Sequence, residues 1–185
     1  MAEEEQVLYT VGHSTHEAHD FVALLHGAGV DCIADVRRYP GSRRNPQFGR
    51  EALAATLADA GIGYLFMGDE LGGRRKPVSD SPNGAWEVAQ FQGYADHMAT
   101  PEFEDGLARV LEEARRRPTA VMCAEGPWQR CHRRLVSDAA LVRGFEVRHV
   151  LRDGAIETHE LTEFAVAEGD ELTYPGQPQL ELGDD

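Results

Sequence analysis

Apolar positions along the chain fall into two periods, and each change of period marks an element. Residues 7–11 are a short β-branched and aromatic run, which predicts a strand. Gly12-His13-Ser14-Thr15 breaks it, and residues 17–28 then show helical spacing through Phe21, Leu24 and Leu25, closed by Gly29. A second strand is expected over residues 30–36, running through Asp35 into a basic loop whose turn residues are Pro40, Gly41 and Ser42. Residues 50–60 predict a helix stopped by Gly61, and residues 62–67 a third strand ending near Leu71-Gly72-Gly73. Residues 74–90 lack periodicity and read as a long loop or lid. A helical region over 91–98 follows, and Thr100-Pro101 caps a further helix over 103–116. The last pattern is a strand over 119–122, a loop over 123–129, a helix over 131–143 ended by Gly144, and a fifth strand over 145–151. Strands alternating with helices at this spacing predict one α/β domain, with a mainly parallel sheet of about five strands and helices on both faces. The domain is expected over residues 7–171, between an acidic extension (1–6) and an acidic tail (172–185) holding Pro175, Gly176 and Pro178.

Composition narrows the setting. With 42% apolar side chains in 185 residues, the chain has enough material for one core. No apolar run approaches the roughly 18 residues that cross a bilayer, and the first residues carry Glu3, Glu4 and Glu5 in place of a signal peptide. A cytoplasmic protein without membrane contact is expected. Cys32, Cys123 and Cys131 are an odd set, so reduced thiols are expected instead of a disulfide framework. The net charge of −14 disfavours indiscriminate binding to nucleic acid. Yet the basic residues cluster: Arg37, Arg38, Arg43, Arg44 and Arg50, then Arg74, Arg75 and Lys76, then Arg130, Arg133 and Arg134. Arginine's planar fork suits phosphate and carboxylate.

Those clusters lie in loops that follow strands, where open parallel sheets bind ligands. The densest chemistry is in residues 123–133. Cys123 at a strand end would face the following helix N-terminus, and Arg130 or Arg133 would favour its thiolate. Glu125, His132, His13 and Asp35 are the accompanying candidates for acid, base or proton carrier. Ser14, Arg37, Ser42, Arg43, Gly72, Gly73, Tyr94 and Arg133 are candidates for holding an anionic small molecule or nucleotide. Trp86 and Trp128 join Tyr94 as aromatic rings able to stack on a base. Cys123, Glu125, Cys131 and His132 are also a donor set for a divalent or transition metal, although their spacing is not that of a zinc finger. The plainer alternative makes both cysteines small core residues and leaves the polar groups as a hydrogen-bond network.

Taken together, Tyr9-Thr10-Val11-Gly12-His13-Ser14, Asp35-Val36-Arg37, Leu71-Gly72-Gly73, residues 91–94, Cys123-Ala124-Glu125 and Cys131-His132-Arg133 resemble the family named domain of unknown function 488. The resemblance implies an α/β fold with a shared polar cleft and no established reaction. A more distant likeness, carried by Asp35-Val36-Arg37 and Cys123, is to rhodanese-like sulfurtransferases. Glu125 and the second thiol depart from that pattern. Two function classes follow: an enzyme acting on an anionic substrate, or a metal-binding, nucleic-acid-binding or partner-binding module without catalysis.

Overall fold

Three helices stop at a glycine in the left-handed region, Gly29, Gly61 and Gly144, and each glycine hands the chain to an apolar residue that leads into the next strand. A computed structural model describes residues 5–177. The acidic ends at residues 1–4 and 178–185 lie outside the described residues.

The elements run β1 (Val7–Gly12), α1 (Ala18–Gly27), β2 (Cys32–Asp35), α2 (Arg50–Asp59), β3 (Gly63–Phe66), α3 (Gly68–Leu71), α4 (Ala89–His97) and α5 (Pro101–Arg116). Then follow β4 (Thr119–Cys123), α6 (Arg133–Val142), β5 (Glu146–Val150), β6 (Ile156–Thr158), β7 (Val166–Glu168) and β8 (Glu171–Thr173). The expected cap of α5 is present: Thr100 accepts the Phe103 backbone N–H at 3.3 Å, with Pro101 opening the helix. The main sheet has six strands in the order β3-β2-β4-β1-β5-β6, all parallel except the edge strand β6. The short strands β6, β7 and β8 carried no signal in the hydrophobic pattern; β6 and β7 are wholly exposed.

Pleating sends alternate residues of each strand to opposite faces. Val11, Ile33 and Met122 meet α1 and α2 through Phe21, Leu25, Leu53 and Leu57. Leu8, Ala34, Val121, Cys123 and Val147 meet α5 and α6 through Phe103, Leu107, Leu135 and Val136. None of the described helices is long and apolar enough to cross a membrane.

Two segments are more tightly held than the sequence suggested. The loop before α4 is pinned by Asp96, which accepts from Val78 N–H, Ser81 Oγ and Asn83 Nδ2. Residues 172–174, assigned above to the tail, are part of the packed fold. Tyr174 is fully buried against Trp86 and Phe164, and its hydroxyl donates to Asp138 Oδ2 at 2.8 Å. Tyr174→Phe leaves that carboxylate one donor short, so urea unfolding should report a loss of about 1–3 kcal/mol. An unchanged midpoint would mean the hydroxyl contributes nothing.

Candidate functional site

Sheet order sets the ends of β1, β4 and β2 side by side. Gly12 pairs with Cys123, and Asp35 with Met122. His13 N–H continues the ladder by donating to Cys123 O at 2.9 Å. The motif segments therefore do converge at the carboxyl edge of the sheet. The pleat then divides their side chains between the two faces.

On the α1 and α2 face, Asp35 is fully buried and grips Arg37 with both oxygens, Nε to Oδ1 at 2.9 Å and Nη2 to Oδ2 at 2.8 Å. Tyr64 donates its hydroxyl to Oδ2 at 2.6 Å, and Arg37 Nη1 donates to Phe48 O at 2.7 Å. His13 completes the group. Its Nδ1–H donates to Ser14 O at 2.9 Å, Nε2 accepts from Arg37 Nη1 at 3.2 Å, and its ring stacks on Phe48 at 4.2 Å. Burial takes its pKa down to about 4; the Ser14 bond opposes that fall and the Arg37 charge adds to it. His13 is thus neutral and forms a closed bracket with Asp35 and Arg37, of which Arg37 also reaches the lining of the cavity that holds the cysteines. Ser14 Oγ accepts from Arg152 at 3.0 Å, and Ser42 Oγ accepts the N–H groups of Arg44 and Asn45. Ser42 and Arg43 are exposed, and neither they nor Ser14 line the cavity described next.

On the other face a cavity of about 220 Å³ reaches the sulfurs. Cys123, Cys131, His132 and Tyr94 line its inner part, and Arg38, Arg74 and Arg130 its outer part. These three arginines have no carboxylate partner among the described residues. Between two of them stands Tyr39, 65% exposed, with the Arg38 and Arg74 guanidinium carbons 5.7 and 5.8 Å from its ring centre. Glu125 also lines the cavity, but its side chain is exposed and only its backbone carbonyl engages the cysteine cluster. Trp86, Tyr94 and Trp128 are not free to stack on a ligand. Trp86 is packed with Phe91 and Phe164, Tyr94 donates to Leu71 O at 2.8 Å, and Trp128 stacks on His149 at 4.1 Å.

Arg133 organises the inner part. It is 1% exposed, yet its guanidinium touches no carboxylate. Nε donates to Cys123 Sγ at 3.0 Å, Nη1 to Thr10 Oγ1 at 3.1 Å, and Nη2 to Glu125 O and Gly126 O at 2.7 and 2.9 Å. A buried cation demands a nearby anion. The nearest group able to supply one is the cysteine pair, whose sulfurs lie 2.7 Å apart with both thiols free. Burial would push the Cys131 thiol up. The Cys123 S–H, the Arg133 charge and the Arg133 backbone N–H at 3.4 Å more than offset it and take its pKa down to about 7. Cys123 goes the other way, raised by burial and by donating to Cys131. The two shifts run in opposite directions, Cys131 toward ionisation and Cys123 away from it, while the guanidinium itself contacts the Cys123 sulfur. Cys32 is buried elsewhere, and burial raises it to about 11.

His132 faces the pair. Its Nε2–H donates to Val36 O at 3.1 Å, which leaves Nδ1 as the acceptor directed at Cys131 Sγ, 3.5 Å away. Burial lowers its pKa, as do the Arg133 and Arg75 charges, so the imidazole is neutral, and its Nδ1 lone pair accepts from the Cys131 S–H while that thiol keeps its proton. Gly73 gives this ring its space, since a Cβ there would stand 3.1 Å from Nδ1. Gly72 meets backbone still more closely, a Cβ falling 2.1 Å from Gly68 O, so both glycines are required by close approach, and Gly73 also lines the cavity. Among the described residues no three His, Cys, Asp or Glu side chains are arranged to hold a metal ion. The Cys123, Glu125, Cys131 and His132 set is not so arranged: Glu125 is exposed, and the Arg133 guanidinium occupies a donor position on the Cys123 sulfur.

Behind Arg133 runs a buried chain that the sequence did not reveal. Thr10 accepts from Arg133, so its hydroxyl donates to His149 Nδ1 at 2.6 Å; His149 Nε2–H donates to His159 Nδ1 at 3.0 Å; His159 Nε2–H donates to Asp138 Oδ1 at 2.8 Å. Every hydrogen points from the guanidinium toward the carboxylate. Burial, then His159 and Arg133, lowers the pKa of His149 to about 3. A histidine inside the apolar β5 pattern was the available sign of this chain.

Comparison with known sequences matches the chain to the family described as "Domain of unknown function DUF488" over residues 17–140. No curated protein and no solved structure matches the chain. The likeness to rhodanese-like sulfurtransferases finds no support in these comparisons.

Two expectations follow. Because His13 and His149 take up protons less readily folded than unfolded, their contribution to stability is present above pH 6.5 and lost as pH falls toward 4 and 3. Urea midpoints should drop across that window, and replacing His149 by Gln should flatten the drop; an unchanged slope in the variant would contradict a neutral His149. In Gly12→Ala the new Cβ would sit 1.8 Å from Glu125 O and 3.0 Å from Arg133 Nη2. That variant should lose about 1–3 kcal/mol or more in unfolding experiments, and wild-type stability would mean the 125 loop is free to move away.

Proposed function

This chain belongs to the DUF488 family, and on that premise we propose that it is a cysteine-dependent enzyme acting on a small anionic substrate, phosphate-bearing or nucleotide-like. The observation that carries the reading is geometric: two buried thiols, Cys131 and Cys123, lie against the Arg133 cation and line a cavity whose outer part holds three arginines without carboxylate partners. Cys131 is the nucleophile. Arg133 is the fixed cation that keeps it ionised, a role often given to an imidazolium that the neutral His132 cannot fill here. The free lone pair of His132 Nδ1 accepts a proton from a second nucleophile such as water when the covalent intermediate is resolved. Arg38, Arg74 and Arg130 draw in and orient the anion. Tyr39, exposed beside these arginines, stacks on a nucleobase by exchanging one of the guanidinium groups now over its ring, which is the support for the nucleotide-like class.

Alkylation separates the parts of this reading. Iodoacetate carries a negative charge and iodoacetamide does not, so the ratio of their rates at one thiol, referred to the ratio at an unstructured cysteine peptide, measures the field at the sulfur. Cys131 should be the first residue modified, with the ratio raised toward iodoacetate and reduced by inorganic phosphate. Arg38→Ala and Arg74→Ala should each lower the ratio by about two- to five-fold at low salt. Modification of Cys123 or Cys32 ahead of Cys131, or a ratio equal to that of the peptide, would overturn the assignment.

A further inference from the structure

We propose that Cys131 and Cys123 form a thiol–disulfide exchange pair, in which Cys131 attacks a small disulfide bearing carboxylates and Cys123 resolves the product. The inference rests on the reading of Cys131 as the nucleophile in the arginine-rimmed cavity and gives its chemistry a definite form. A nucleophilic cysteine that reacts once needs no second sulfur. Here the second sulfur is 2.7 Å away, is itself 2% exposed, and is held in position by the Arg133 Nε–H at 3.0 Å. A disulfide bond is about 2.0 Å long, so a small rotation of the two side chains closes it. Cys32 cannot take this part. It pairs with Thr119 at the start of β4, whereas Cys123 ends that strand.

The two sulfurs also differ in the way sequential exchange requires. Cys131 faces the cavity as the ionised partner, while Cys123 keeps its proton until the first step has removed the neighbouring negative charge. In that first step the Cys131 sulfur bonds to one sulfur of the substrate disulfide, whose S–S bond breaks and releases the other half as a thiolate. Cys123 then gives up its proton to the neutral His132 Nδ1 or to water and attacks the Cys131 sulfur, and the second half leaves as a thiolate. Two cysteine sulfurs are oxidised to one disulfide and one substrate disulfide is reduced to two thiols, so two electrons move and the atoms balance. The arginines at the outer part select carboxylate-bearing disulfides over neutral ones of similar size.

The test uses the reduced full-length chain with oxidised glutathione as the charged disulfide and hydroxyethyl disulfide as the neutral one, read by mass spectrometry of intact protein and peptides. Wild-type protein should end with a Cys123–Cys131 disulfide and no retained adduct, and should react at least about ten-fold faster with oxidised glutathione, relative to a free cysteine peptide. Cys123→Ser should instead retain one glutathione on Cys131, and Cys123→Ala serves if the serine disturbs folding. A lasting glutathione adduct on wild-type Cys131 with Cys123 still reduced, or no preference for the charged disulfide, would overturn the exchange pair. Failure of Cys131 to react with either disulfide while it still reacts with iodoacetate would overturn it and leave the nucleophile standing. Failure with both would remove the nucleophile as well.

Discussion

A guanidinium buried without a carboxylate in contact is the constraint on which the rest of the site depends. Taking such a cation out of water costs several kcal/mol unless its donors are filled and its charge balanced. Arg133 meets the first requirement with two carbonyls, a hydroxyl and a sulfur. It meets the second at short range with a proton shared unequally between two thiols, and at longer range with Asp138 through Thr10, His149 and His159. On the proposed reading a thiolate is part of how the fold tolerates its own arginine, and the reactive group and the packing share one cause.

That arrangement makes several distant residues answer to each other. Gly12 lacks a side chain because the Glu125 carbonyl that fills Arg133 occupies the space a Cβ would need. Asp138 sits on α6 and takes Tyr174 from the far end of the described chain, so residues that read as a tail brace that helix. His149 is kept in place by Thr10 on β1, by His159, and by the stacked Trp128 from the loop before α6. Removing charge from the centre would leave several polar groups without partners.

The order of strands and helices was legible in the sequence because period and glycine stops are local signals, and the five strands read from it are all present. The convergence of the motif loops was legible for the same reason, since it follows from a parallel sheet. Their separation into two faces follows from the pleat: Asp35 follows Ile33 to one face, and Cys123 follows Val121 to the other. The proposed choice between the two cysteines was beyond the sequence, because it turns on contacts made only in the fold, the Arg133 amide to Cys131 and the Arg133 guanidinium to Cys123. Tyr39 was passed over because an aromatic residue in a loop reads as ordinary until its exposure is known. His149, His159 and Asp138 are far apart in sequence and carry no spacing that links them.

The central claim is that the buried Arg133 maintains a thiolate on Cys131. Its most direct measurement is the ultraviolet absorbance of thiolate as a function of pH, in the wild type, Cys131→Ser and Arg133→Gln. One thiolate should appear in the wild type with a midpoint near pH 7, be absent from that range in Cys131→Ser, and move to higher pH in Arg133→Gln. A wild-type protein with no thiolate until the ordinary cysteine value of 9.0 would contradict the account.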